Sequence, residues 1–165
     1  RVGKIAYSPT CGPPAGWQDR VQPYLRATGW VANDYFLALA RAECDLAICY
    51  WPIGRCDLDI DTSACTYRVI GHERLIPVTG LPQSTYLTAQ SENLYAASIK
   101  ELVVLGYGMS WLPERNVAAE LAEGTLVRAG DSRWDVPMEL RLFRHQNHRH
   151  AELDGFWSGL ASPRT

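Results

Sequence analysis

Residues 2–7 alternate apolar and polar positions in the manner of a short strand, and Ser8-Pro-Thr-Cys-Gly-Pro-Pro14 breaks the chain directly after them. A helix is expected over 14–26, entered through Pro13 and Pro14 and weakened in its last turn by Pro23. Gly29-Trp-Val31 reads as a second strand. Asn33 or Asp34 then suits the N-cap of an apolar helix over 35–42. Next comes Cys44-Asp-Leu-Ala-Ile-Cys-Tyr50, almost continuously apolar, which is how a strand buried on both faces of a parallel sheet reads. Strand and helix alternating within about 50 residues is the βαβ pattern.

The pattern continues less regularly. A loop is expected over 51–65, carrying Asp57, Asp59 and Asp61. Two short strands or one bent one should follow over 67–79, and Gly80-Leu-Pro-Gln-Ser84 interrupts the chain. A brief strand over 85–89 leads to Ser91, a credible N-cap for a helix over 92–105 with Leu94, Ile99, Leu102 and Leu105 as its apolar stripe. Gly106-Tyr-Gly-Met-Ser-Trp-Leu-Pro113 predicts a helix stop, a short strand and a helix start. That next helix, over 114–123, should end on Gly124 as a C′ glycine. A strand is expected over 125–127. Another follows over 137–143, with Met138, Leu140 and Leu142 facing away from Glu139 and Arg141. A last helix over 151–160 presents Leu153, Phe156, Trp157 and Leu160. The chain is mixed α/β, without internal repeat or low-complexity segment.

Composition narrows the possibilities. The 165 residues carry 16 Lys+Arg against 18 Asp+Glu, a formal net charge of -2, with 47% hydrophobic residues. This is globular composition, and a chain of this length buries roughly 70% of the surface it exposes unfolded. Near-neutral charge disfavours a nucleic-acid surface, which needs clustered Lys and Arg. No apolar run reaches the ~20 residues of a membrane helix, and no basic-then-apolar leader is present. The odd set Cys11, Cys44, Cys49, Cys56 and Cys65 contains no C-x-x-C pair. Together these favour a reducing, cytoplasmic setting. Because the chain opens at Arg1 and is strand-like at once, it is expected to be cut from something longer.

Candidate chemistry is sparse. Arg144-His-Gln-Asn-His-Arg-His150 offers three imidazoles, but the arginines around them oppose a cation, so a solvated basic loop is favoured over a metal site. Asp57-Leu-Asp-Ile-Asp61 lacks the glycine and the later Glu of a calcium loop. Gly106-Tyr-Gly108 is a lone G-x-G before a strand, not a dinucleotide fingerprint. Ser110 stands outside any G-x-S-x-G elbow. Nothing assembles a nucleophile, a base and an oxyanion hole, so no enzyme is expected, and no cofactor. Trp51, Trp111, Trp134 and Trp157 read as core or cleft walls, since no basic residues interleave them. Cys11 lies before a helix N-terminus that would lower a thiol pKa; an unreactive loop thiol is the preferred reading.

Several segments, taken in order, resemble one family. Leu39-Ala-Arg-Ala-Glu-Cys-Asp-Leu-Ala-Ile48 resembles the L-x-x-G-x-x-D-L-A-I step in the effector-binding domain of LysR-type transcriptional regulators. Glu73-Arg-Leu-Ile-Pro-Val78 is similar to the strand by which that domain crosses between its lobes. Residues 91–113 resemble its second-lobe helix and G-x-G-[IVM]-x-x-L-P signature. Gly124-Thr-Leu-Val127, Trp134, Pro137 and Phe156-Trp157 continue in register. The W-L-P variant and the C-D-L-A-I-C-Y-W wording are most similar to the hypochlorite-responsive branch. There are departures: Ala42 stands where the family usually has Gly, and the stretch between Val78 and Thr85 is much shorter than a full second lobe needs.

The resemblance implies a two-lobed, periplasmic-binding-protein-like (type 2) α/β fold with crossing strands and a shortened second lobe. Residues 1–77 and 139–165 would form the first lobe and 78–138 the second. The family's N-terminal winged helix-turn-helix is expected to lie outside these residues. A small effector would bind in the inter-lobe cleft, at Ser8, Thr10 and Asn33 from one lobe and Gln90, Ser91 and Met109 from the other. These positions are expected at carboxyl ends of strands or starts of helices, where open α/β sheets bind ligands. Asn33 and Ser91 read equally well as plain caps. The implied role is effector sensing and oligomerisation, as dimer or tetramer, with DNA reached only through another domain. The alternatives are a stand-alone solute-binding protein, or a redox sensor using Cys11 or Met109.

Overall fold

The computed structural model describes residues 5–7, 25–27, 32–54, 60–80, 96–148 and 151–160. Its chain divides into two compact units, Arg1–His72 with Glu139–Thr165, and Glu73–Met138. In the first unit, β1 (Ile5–Tyr7) runs parallel to β2 (Leu25–Ala27) and to β3 (Leu46–Pro52), with Ile5 opposite both Leu25 and Leu46. The sheet continues β2-β1-β3-β7-β4, where β4 is Cys65–Gly80 and β7 is Val136–His145. The strand at 25–27 falls where a helix was expected; the anticipated strand at 29–31 lies outside the described residues.

β3 shows why its sequence is apolar at successive positions. Leu46 and Ile48 pack with Leu140, Leu142, Leu153 and Trp157, the last two from α4 (Ala151–Gly159). Ala47 and Cys49 pack with Tyr35, Phe36, Ala38 and Leu39 of α1 (Ala32–Ala40) and with Phe143 of β7. A helix thus covers each face, and burial alternates between two cores instead of between core and water.

α1 begins at Ala32, earlier than the cap at Asn33 or Asp34 required, so both residues lie in its first turn. Its other end closes with Glu43 N–H on Ala38 O at 2.9 Å and Ala42 N–H on Leu39 O at 3.2 Å. That is the paired 6→1 and 5→2 bonding of a Schellman cap, and it puts Ala42 at φ 56°. The departure from the family's Gly is therefore a residue with a Cβ in the left-handed region.

β4 is one strand of 16 residues, neither broken nor doubled. Its second part belongs to the other unit, where it pairs antiparallel with β5 (Met109–Pro113) on one side and β6 (Leu126–Arg128) on the other. Ile76, Val78, Leu112 and Leu126 face Val103 of α2 (Ala96–Val104) and Val117, with Ile99 and Leu121 packed against them. The apolar stripe of α2 is thus Ile99 and Val103, one turn apart; Leu105, expected on it, is 70% exposed beyond the helix end. A 3-10 turn (Glu114–Asn116) and the six-residue α3 (Ala118–Glu123) replace the single helix expected over 114–123, and Gly124 ends α3 at φ 76° as foreseen. The expected strand at 85–89 and the shortfall after Val78 run into residues 81–95, outside the described residues.

Candidate functional site

The G-x-G segment is built by the end of α2. Gly106 N–H bonds Val103 O and Tyr107 N–H bonds Leu102 O, both at 3.0 Å, a second Schellman cap with Gly106 at φ 83°. Gly108 follows at φ 146°, another conformation open mainly to glycine. Its carbonyl accepts the Thr79 hydroxyl at 3.2 Å, which ties the turn to β4. Met109 then opens β5 opposite Thr79. On the neighbouring side, Gly80 approaches so closely that a Cβ there would stand 2.6 Å from Val103 O.

Met109 is 53% exposed. It stands at the amino end of its strand, not at a carboxyl end; the antiparallel pairing brings it beside the carboxyl end of β4 instead. Asn33 occupies the second position of α1, inside the helix and not in the loop before it. Ser8, Thr10, Gln90 and Ser91 lie outside the described residues, as does Cys11.

The tryptophans divide. Trp157 is core and Trp51 packs partly buried against Phe36 and Phe143. Trp111 and Trp134, expected as core or cleft walls, are 39% and 59% exposed. The β4–β5 register explains Trp111: it is opposite Pro77, so it shares the face of Met109, away from the side that buries Ile76, Val78 and Leu112. Its Nε1–H donates to Trp134 O at 2.8 Å, and the Trp134 ring lies against Gly130.

Two side-chain groupings had escaped the sequence reading. In the second unit Arg74 Nη2 meets Glu114 Oε2 at 2.5 Å and Arg74 Nη1 lies 3.7 Å from Asp135. Arg128 pairs with the same Asp135 and stands 3.9 Å from Glu114, while Arg115 Nε holds Glu73 at 2.6 Å. The Glu114 hydrogen bond raises the Arg74 pKa above its ordinary value. In the first unit the Arg141 guanidinium lies 4.1 Å from the Tyr67 ring centre and 5.1 Å from that of Trp51, and donates to Glu139 at 2.7 Å. Repeated Glu-Arg dipeptides, at 73–74 and 114–115, were the available clue; their meeting depends on tertiary contact.

The basic loop holds His145 and His148 as stacked rings, centres 4.6 Å apart, with His145 Nδ1 accepting the Asn147 N–H. Among the described residues no three His, Cys, Asp or Glu side chains converge as a metal site. Cys44, Cys49 and Cys65 are thiols, and burial pushes the Cys65 pKa up, with Asp61 adding to it. No helix of the described residues is long and apolar enough to cross a membrane.

No protein-family model matches the sequence, and no curated protein matches it. Solved structures do match, and the fold they share is that of LysR-type regulatory domains, the periplasmic-binding-protein-like architecture. The regulatory domain of HypT from Salmonella typhimurium, a hypochlorite-specific LysR-type regulator, gives a TM-score of 0.72 at 16% identity, over 94% of this chain and 91% of that one. Vibrio fischeri DarR, solved in complex with DNA, gives 0.68 at 17% identity, over 94% of this chain and 65% of that one. Full-length LysG from Corynebacterium glutamicum, with bound effector Arg, gives 0.62 at 14% identity, over 94% and 64%. The chain spans about two thirds of such full-length regulators and nearly all of an isolated regulatory domain.

Proposed function

We propose that this chain is the effector-sensing and oligomerisation domain of a LysR-type transcriptional regulator, acting by binding and not by catalysis. The fold shared over 94% of its length with the HypT regulatory domain carries this reading. The motifs from Leu39 to Trp157, met in family order, support it independently of the fold. A small molecule would bind between the lobes, at Ser8, Thr10, Asn33, Gln90, Ser91 and Met109. Binding would shift the balance between lobe arrangements and pass the change through a dimer or tetramer to attached DNA-binding domains.

Thermal unfolding against amino acids (arginine included) and small carboxylic acids tests the binding step. A ligand at 100 times its Kd stabilises the folded chain by about 2.7 kcal/mol. The attachment is tested by the reading frame upstream of Arg1: absence of a helix-turn-helix there refutes it.

The exposed Met109 favours a second reading, oxidant sensing. Hypochlorous acid would transfer its oxygen to the sulfur, forming the sulfoxide and releasing chloride and a proton. A Met109→Leu protein with an undiminished hypochlorite response removes this reading.

A further inference from the structure

The three paired strands of the second unit present two different faces. α2 and α3 pack against the one that carries Ile76, Val78, Leu112 and Leu126. The antiparallel register puts Met109 and Trp111 of β5, Pro77 and Thr79 of β4, and Val127 of β6 on the other. There Trp111 is 39% exposed and Val127 37%, and Trp134, joined to Trp111 through its carbonyl, is 59% exposed. Single apolar residues on a surface need no explanation, but a group holding two indoles marks a contact surface.

This face is already prepared for burial. The Trp111 Nε1–H, a donor that would be costly to cover without a partner, is satisfied within the chain by Trp134 O at 2.8 Å. The Trp134 ring is seated against Gly130, where an added Cβ would stand 2.9 Å from its Cδ1. Covering two indoles held in this way costs little side-chain freedom.

The charges beside the face select its occupant. Asp131 and Arg133 flank Trp134 in the chain, pair with each other at 2.8 Å and keep side-chain exposures of 53% and 84%. One acid and one base match a surface that offers the same pair in reverse order, and a two-fold axis supplies that surface when the partner is a second copy. A partner of one charge sign, such as a nucleic acid or an acidic peptide, would meet an attraction and a repulsion together. A net charge of -2 leaves little repulsion between copies. The exposed parts of Trp111, Val127, Ala129, Asp131, Arg133 and Trp134 amount to roughly 600 Å², the lower end of what each partner gives to a standard interface.

We propose that a second copy of this chain docks on this face, the Trp111–Val127–Trp134 surfaces of two second units packing on each other about a two-fold axis. The proposal rests on the self-association put forward above and gives it a specific surface.

Analytical ultracentrifugation of the whole chain from about 1 to about 200 µM, with hydroxyl-radical footprinting at both ends of that range, tests it. A monomer–dimer equilibrium is expected, with Trp111 and Trp134 oxidised several-fold more slowly in the dimer. Trp134→Asp should weaken the dimer about 30-fold or more, as loss of a central indole does. Val127→Lys probes the same face should the first variant not fold. Leu105→Asp, exposed beyond the end of α2, should leave the dimer unchanged. A parent chain that stays monomeric at the highest concentration overturns the proposal. So does protection of both indoles in the monomer, which means that the chain covers its own face. Dimers as tight in Trp134→Asp and Val127→Lys as in the parent refute this surface while leaving self-association itself standing.

Discussion

Ala42 offers a direct way to measure strain in this chain. The Schellman cap of α1 needs its C′ residue in the left-handed region, and Ala42 sits there at φ 56°. A residue with a Cβ loses about 1–2 kcal/mol in that conformation. Ala42→Gly removes the strain but loosens the unfolded chain by about 0.4–1 kcal/mol. The methyl is exposed, so no packing is lost. The net expectation is stabilisation by about 0.5–1 kcal/mol, or roughly 1–4 °C in Tm for a chain of this size. Urea unfolding followed by circular dichroism reads it as a higher midpoint with an unchanged slope. Ala40→Gly is the control: Ala40 is exposed and helical, the last residue of α1, so glycine there should destabilise by about 0.5–1 kcal/mol. If both substitutions destabilise alike, the left-handed cap is not what α1 uses, and the reasoning fails.

Other outcomes follow from neighbouring observations. Gly80→Ala should destabilise by about 1–3 kcal/mol, because its methyl would stand 2.6 Å from the Val103 carbonyl oxygen; a calorimetric Tm unchanged from the parent contradicts the close approach. Leu142→Ala, in a side chain with no exposure, should cost about 2–5 kcal/mol in chemical denaturation. Lys100 donates to Glu120 at 2.6 Å, and that hydrogen bond, with a backbone one, holds the Glu120 pKa below its ordinary value of 4.5. The pair's stabilisation is therefore complete above about pH 4.5 and is lost as pH falls through the lowered folded-state value. Lys100→Met should flatten that acid limb in unfolding curves taken from pH 6 to 3; an identical slope in both proteins argues against the pairing.

Local chemistry was legible in the sequence wherever one residue's own preferences decide the outcome. Gly124 ends α3 because a glycine accepts a positive φ without penalty, and the apolar run around Leu46 and Ile48 has to be covered on both sides. Motif order from Leu39 to Trp157 carried the fold, since order and spacing survive where identity to solved relatives is only 16%. Choices between equal local options were decided by distant partners. Val103 and not Leu105 faces the core because it stands one turn after Ile99 on the side of α2 that meets Ile76, Leu112 and Leu126, and Trp111 turns outward because its register with Pro77 gives the inner face to Leu112. The joining of Glu73, Arg74, Glu114, Arg128 and Asp135 was invisible for the same reason. An ion pair depends on distance in space, and separations from 7 residues for Arg128–Asp135 to 40 for Arg74–Glu114 share no period that would mark it in the sequence. Backbone preference thus belongs to the sequence alone, whereas the choice between equally apolar faces and the partnership of side chains belong to the folded chain.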